Sequence, residues 1–135
     1  MATTTAAISI ASSDLTGDAL ALSATTTLYK AGTVIGLDQT TGLASKYYAA
    51  VQSNVEIIPA GSYDDNGAHW VYIKNSGSST EDYFTIELSL SGYPVLGRLY
   101  GGDWTWLPYE GETGIGISSS ATKMTLEYMV VYQSV

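Results

Sequence analysis

Apolar and polar residues alternate along much of this chain with a period of two, most clearly over residues 83–90. Successive side chains of a β-strand point to opposite faces, so this alternation predicts a strand with one buried face and one face in water. The predicted buried face carries Phe84, Ile86, Leu88 and Leu90, and the predicted wet face carries Tyr83, Thr85, Glu87 and Ser89.

The last apolar segment alternates in the same way at its start but becomes apolar on both sides at its end. Its two faces carry Met124, Leu126, Tyr128 and Val130 on one side, and Thr125, Glu127, Met129 and Val131 on the other. A strand that is apolar on both faces is typical of one covered on both faces. We therefore expect both faces of the end of this strand to be covered, either within a sandwich or by a neighbouring subunit.

Several more short strands follow from β-branched and aromatic runs that are separated by glycine-rich or Asx-rich turns. This spacing is typical of an all-β protein, an antiparallel β-sandwich of jelly-roll or immunoglobulin-like type, here as a single domain over residues 1–135. One segment, Leu43–Val51, has helical spacing and also reads acceptably as a strand. The further predicted strands are Ile8–Ile10, Leu20–Leu28, Val55–Pro59, Trp70–Lys74, Leu96–Tyr100, Asp103–Leu107 and Ile115–Ser118.

The two parts of the chain differ in composition. Residues 1–54 lack tryptophan and proline and are rich in Thr, Ala and Ser, whereas residues 55–135 hold all 3 tryptophans and all 3 prolines. We interpret the second part as the compact core and the first as extended strands, with residues 1–12 as an N-terminal arm. The alternative is that the first part supplies ordinary strands of the same sandwich.

Charge and composition exclude several classes of function. The net charge of −8 repels phosphate backbones and anionic lipid head groups, so we expect neither nucleic acid nor a membrane as a partner. The absence of cysteine excludes disulfides and thiolate metal sites. No apolar run approaches the roughly 18 residues of a membrane span.

Three groups of residues have the chemistry of a functional site, and for each the sequence favours a structural role. His69 is the one histidine and follows an Asn-Gly turn, where we expect a solvated or capping side chain. Asp103, Glu110 and Glu112 lie near aromatic residues, as a sugar-cleaving site requires, but they fall in turns. The segment 64–67, Asp-Asp-Asn-Gly, is rich in oxygen ligands, but a hairpin turn explains it as well. We predict no catalytic residue, no metal site and no cofactor.

The aromatic composition is unusual, with 11 Tyr and 3 Trp against 1 Phe. Tyr and Trp combine an apolar ring with a polar tip and are enriched where a surface is buried against a partner. The same rings could stack on a sugar, and the competing interpretation places them in the core or at subunit contacts. The candidate interface or ligand-stacking residues are Trp70, Tyr72, Tyr100, Trp104, Trp106 and Tyr109.

Several turn and strand-start motifs resemble those of small virion structural proteins of tailed phages, especially phages that infect cyanobacteria. The similarity extends from about residue 8 to the end of the chain, and its motifs carry no catalytic signature. They are Asp14-Leu15-Thr16-Gly17-Asp18-Ala19-Leu20, Gly36-Leu37-Asp38-Gln39-Thr40-Thr41-Gly42-Leu43, Val71-Tyr72-Ile73-Lys74-Asn75, and Gly97-Arg98-Leu99-Tyr100-Gly101-Gly102-Asp103-Trp104 followed by Leu107-Pro108.

This resemblance implies a non-enzymatic structural protein that is made in the host cytoplasm and resides in the virion. The leading expectation is a capsid decoration or cement subunit, a homo-oligomer such as a trimer, that contacts the major capsid protein or other virion proteins. The alternative is a tail, baseplate or fibre component, including a carbohydrate-binding adhesion module.

Overall fold

The computed structural model describes residues 3–15, 17, 19–63 and 65–133. Residues 1 and 2 of the predicted arm, Thr16 and Asp18 of the first phage-like motif, and Asp64 of the oxygen-rich turn lie outside this part. The described residues form eleven strands and no helix. The strands are β1 Thr4–Ser12, β2 Leu20–Leu28, β3 Gln39–Thr40, β4 Ala44–Tyr48, β5 Val55–Ile58, β6 His69–Asn75, β7 Tyr83–Leu88, β8 Val95–Tyr100, β9 Trp104–Tyr109, β10 Ile115–Ser119 and β11 Met124–Tyr132.

The strands make two main sheets and one separate ribbon, and all the pairings are antiparallel. A four-stranded sheet has the order β5-β10-β7-β8, and a five-stranded sheet has the order β3-β11-β6-β9, with β4 also paired to β11. Strands β1 and β2 pair only with each other among the described strands. The all-β prediction is confirmed, and the packed sheets are consistent with a β-sandwich.

The helical interpretation of Leu43–Val51 is wrong, because this segment contains strand β4. Strand β4 pairs with β11, where Tyr47 lies opposite Thr125 and Tyr48 lies opposite Met124. Tyr48 is 6% exposed in the main core while Tyr47 is 60% exposed, which is strand alternation. Pairing with β11 therefore outweighs the weak helical spacing.

The main core lies between the two sheets and is built from the inward positions of their strands. Phe84 and Ile86 of β7 are buried as predicted, and Ile86 lies opposite Ile117 of β10. The predicted faces are wrong at two other positions of the segment 83–90. Leu90 is exposed because β7 ends at Leu88, and Glu87 is buried, where its carboxylate accepts a hydrogen bond from Ser118 Oγ at 3.1 Å.

The end of β11 is covered on both faces, as the sequence predicts. Val130 belongs to the main core, and Val131 packs on the opposite side of the sheet with Leu28 and Leu37 in a second, smaller cluster. Both covers come from this chain itself. Because Leu28 ends strand β2, the second cluster also fixes the base of the β1–β2 hairpin on the five-stranded sheet.

Candidate interaction surface

The β1–β2 hairpin is a two-stranded ribbon with two chemically different faces. Directly paired residues of an antiparallel ladder share a face, so the pairs Ile8–Ala24 and Ile10–Leu22 lie on one side. The pair Ser9–Ser23 lies on the other side. We name the first side the apolar ribbon face. It carries Thr4, Ala6, Ile8, Ile10, Ser12, Leu20, Leu22, Ala24, Thr26 and Leu28, and the opposite side carries Thr5, Ala7, Ser9, Ala11, Ala21, Ser23, Thr25 and Thr27.

Only the base of the apolar ribbon face is covered among the described residues. Ala6 and Leu28 pack in the second cluster, whereas the distal residues Ile8, Ile10 and Leu22 are 41%, 45% and 50% exposed. The base is held further by an ion pair between Lys30 Nζ and Asp38 Oδ2 at 2.6 Å. The ribbon thus extends an uncovered aliphatic surface from an anchored base.

The outer face of the five-stranded sheet is aromatic next to this ribbon. In the ladder between β6 and β9, Tyr72 lies opposite Trp106, and Lys74 lies opposite Trp104. The rings of Trp70 and Trp106 stack with centroids 5.4 Å apart and planes 8° apart. Trp104 is 53% exposed. Stacking immobilises the inner pair of indoles, while Trp104 presents its ring to a partner.

The apolar ribbon face and the aromatic sheet face bound one groove of ≈ 850 Å³, which we name the aromatic groove. None of its lining residues is charged. Its polar groups are threonine hydroxyls, the Tyr72 hydroxyl, indole N–H groups and backbone, so the groove suits an uncharged occupant. The lining residues are Thr4, Thr5, Ala6, Ala7, Ile8, Ile10, Ala24, Thr25, Thr26, Leu28, Trp70, Tyr72, Trp104, Thr105, Trp106, Met129 and Val131.

Four of the six candidate contact residues, Trp70, Tyr72, Trp104 and Trp106, come together in the aromatic groove. The other two lie elsewhere. Tyr100 is half-buried on the four-stranded sheet, where its ring centroid is 5.3 Å from that of Tyr83. Tyr109 is 6% exposed in the main core and donates a hydrogen bond from its hydroxyl to the Gly111 carbonyl at 3.2 Å.

Burial, aided by the negative charge of Glu110, raises the pKa of Tyr109 to about 12 from its ordinary 10.0. The unfolded chain loses this proton first, so the free energy of unfolding should fall as the pH rises from about 10 to 12. We expect Tyr109→Phe to make this alkaline loss smaller, measured by urea unfolding at pH 9, 10.5 and 11.5. Tyr47→Phe, which removes an exposed tyrosine hydroxyl, is the matched control. Equal alkaline loss in the two variants would contradict the role of Tyr109.

The sequence predicts a solvated or capping side chain at His69, and the solvated form is wrong. Its side chain is 0% exposed, because strand β6 begins at this residue with the side chain pointing into the core. Its Nδ1 accepts a hydrogen bond from the Gln133 backbone N–H at 3.2 Å. The rings of Tyr63, Tyr109 and Tyr132 surround it at centroid distances of 5.7, 6.2 and 6.5 Å. His69 therefore ties the end of β11 to the start of β6.

Two of the three acidic residues that could form a sugar-cleaving site instead accept hydrogen bonds from backbone N–H groups of the turns in which they lie. Asp103 Oδ2 accepts a hydrogen bond from the Tyr100 backbone N–H at 3.0 Å, and Glu110 Oε1 accepts one from the Thr113 backbone N–H at 2.5 Å. The latter bond lowers the pKa of Glu110. Glu112 is exposed in the same turn as Glu110. These are the positions that the turn interpretation predicts.

Sequence reasoning missed the ribbon side of the groove. Ile8, Ile10 and Ala24 belong to predicted strands, but their common face depends on the register in which β1 meets β2.

Within the described ranges, no group of three His, Cys, Asp or Glu side chains is placed to hold a metal ion. Nor does any described segment form a helix long and apolar enough to cross a membrane.

No protein-family profile, no curated protein and no solved structure matches this chain.

Proposed function

We propose that this chain is a non-enzymatic structural subunit of a phage particle, a decoration or cement subunit that stabilises the capsid through protein contacts. The phage setting is a prediction from the motif resemblance. The mode of action is supported by one observation above all, the uncovered apolar ribbon face that continues into the aromatic groove. Contiguous exposed apolar surface of this kind is typical of protein interaction sites.

The amount of exposed surface supports the same proposal. The accessible surface of the chain is 7788 Å². A compact monomer of 14.3 kDa is expected to expose roughly 6,800 Å², so the excess is about 1,000 Å². One partner of a standard protein–protein interface contributes about 800 Å². The excess is thus of the size that one such interface would cover.

The positions of the polar residues also favour a structural role. His69 accepts a backbone hydrogen bond within the core, and Asp103 and Glu110 hold the backbone of their own turns. A general acid or base must instead reach a substrate proton within about 3 Å. The net charge of −8 suits a position on the outside of a capsid, away from packaged DNA.

A shortened ribbon tests this proposal. Ala7 and Thr25 are cross-strand partners, so replacing residues 8–24 with Asn-Gly would close the hairpin while keeping Ala6 and Leu28 in their cluster. We expect this variant to fold with nearly the melting temperature of the full chain. Added to particles that lack the subunit, it should bind poorly and fail to restore their resistance to heat, whereas the full chain should restore it.

Two results would contradict the proposal. One is undiminished binding of the shortened variant to particles, which would place the contact elsewhere. The other is equal heat resistance of particles with and without the subunit, which would remove the stabilising role. Circular dichroism of the shortened variant serves as the folding control, since β1 and β2 pair with each other and with no other described strand.

Trp104 favours a second candidate function, a carbohydrate-binding module in a tail, baseplate or fibre. Its ring is 53% exposed beside the groove's threonine hydroxyls, and aromatic faces stack on sugars. In this case Trp104→Ala should abolish binding to a glycan array while particles still assemble. Binding to no glycan by the unsubstituted chain would rule this alternative out.

A further inference from the structure

We propose that the aromatic groove is occupied by the distal ribbon of a second copy of this chain. This inference rests on the proposed function, which is association through protein contacts. It identifies one of the partners as another copy of the same chain. In each copy the groove lining includes ribbon residues as far as Ile10, whereas Leu20 and Leu22 near the tip lie outside the lining and are 37% and 50% exposed. The chain thus presents both an apolar groove and an uncovered apolar segment.

The absence of charge on both surfaces supports a second copy as the occupant of the groove. Two copies with a net charge of −8 repel each other, so contact is favoured where both surfaces are neutral. The ribbon strands Thr4–Ser12 and Leu20–Leu28 contain no charged residue, and neither does the groove lining. Aliphatic side chains against indole rings bury apolar area with no charge left unpaired.

Backbone groups add a polar component to the contact. Strand β9, which carries Trp104 and Trp106, ends the order of the five-stranded sheet. An edge strand presents a row of backbone N–H and carbonyl groups that can pair with another strand. A ribbon strand of the second copy entering the groove reaches this edge and can extend the sheet by β-augmentation.

The test compares two aspartate substitutions on neighbouring positions of the same strand. Leu22→Asp changes the apolar ribbon face outside the groove lining, and Ser23→Asp adds the same charge on the opposite face. With the purified full-length chain in sedimentation equilibrium, we expect self-association of the unsubstituted protein. Leu22→Asp should weaken it by about 30-fold or more, the effect of losing a strong interface residue, and Ser23→Asp by far less.

Mixing two variants tests whether the ribbon meets the groove of another copy. Trp104→Ser alters the groove, and Leu22→Asp alters the ribbon at a position outside the groove lining, so each should weaken self-association. In a mixture, the intact ribbon of one variant can enter the intact groove of the other. We therefore expect the mixture to associate more tightly than either variant alone. A ribbon that meets only another ribbon would give no such recovery, which would overturn the inference.

Melting curves of all the variants serve as folding controls, because the substituted positions are exposed. A monomeric unsubstituted chain, or equal weakening by Ser23→Asp and Leu22→Asp, would overturn the inference. If the monomeric chain still bound particles through its ribbon, the proposed function would stand and only this inference would fail. Self-association with no effect on particles would refute the proposed function instead.

Discussion

We expect Ile86→Asp to leave the protein unfolded at room temperature. Ile86 is 2% exposed in the middle of β7, and its ladder neighbour Ile117 is 0% exposed. An aspartate there would place a charge in the core without a partner or water. The cost of several kcal/mol is comparable to the whole stability of an ordinary domain, about 5–15 kcal/mol. Circular dichroism and urea unfolding would measure the loss.

Thr85→Asp is the matched control for this substitution. Thr85 is half-buried on the opposite face of the same strand, directly across from Arg98 of β8. A carboxylate at this position can reach water and a guanidinium, so we expect a change within about 1 kcal/mol. A cooperative melt of Ile86→Asp near that of the unsubstituted chain would show that the facing of β7 is wrong.

Local sequence signals, alternation in two segments and β-branched or aromatic runs between turns in the others, were sufficient to predict most of the strands and several of their faces. The predicted strand Leu20–Leu28 has the bounds of β2, and Phe84 and Ile86 face the core as their spacing requires. Alternation also explains the one candidate aromatic of β9 that lies away from the groove. Tyr109 is three residues after Trp106, and an odd spacing places it on the opposite face of the same strand.

Features that depend on distant parts of the chain could not be predicted in this way. The two-residue strand β3 has too few residues to show a period, and it exists because Thr40 meets Val131 of β11. Glu87 is buried, and the residue that hydrogen-bonds its carboxylate, Ser118, is 31 residues away in the chain. The sequence around Thr40 does not indicate its pairing with Val131, and the sequence around Glu87 does not indicate its hydrogen bond with Ser118.

For the aromatic groove too, spacing within a strand could be predicted from the sequence, but the pairing and packing of distant segments could not. Trp104 and Trp106 are two residues apart and therefore share one face of a strand, and so do Trp70 and Tyr72. That these two strands are neighbours follows from the ladder between β6 and β9. That the ribbon forms the facing wall follows from the packing of Leu28 against the sheet. The sequence thus identified the rings but not the surface that they share with the ribbon.

Gly101→Ala should destabilise the protein by about 3 kcal/mol, because the chain comes very close to another backbone segment at this glycine. A Cβ at Gly101 would lie 2.6 Å from both the N and the O of Ser79 and 2.7 Å from the carbonyl carbon of Ser78. The Gly101 N–H also donates to the Ser79 carbonyl at 2.9 Å, so the two segments cannot separate without losing this bond. Urea unfolding would measure the effect.

Gly97→Ala is the matched control, four residues earlier in β8. A Cβ at Gly97 would meet no atom within 4 Å. Alanine also restricts the unfolded chain more than glycine does, so we expect no loss and up to about 1 kcal/mol of added stability. If the two substitutions had equal effects, close approach would not explain Gly101. If they differ as expected, the glycine that follows Tyr100 in the phage-like motif is required by backbone packing where β8 turns toward β9, and its presence needs no catalytic explanation.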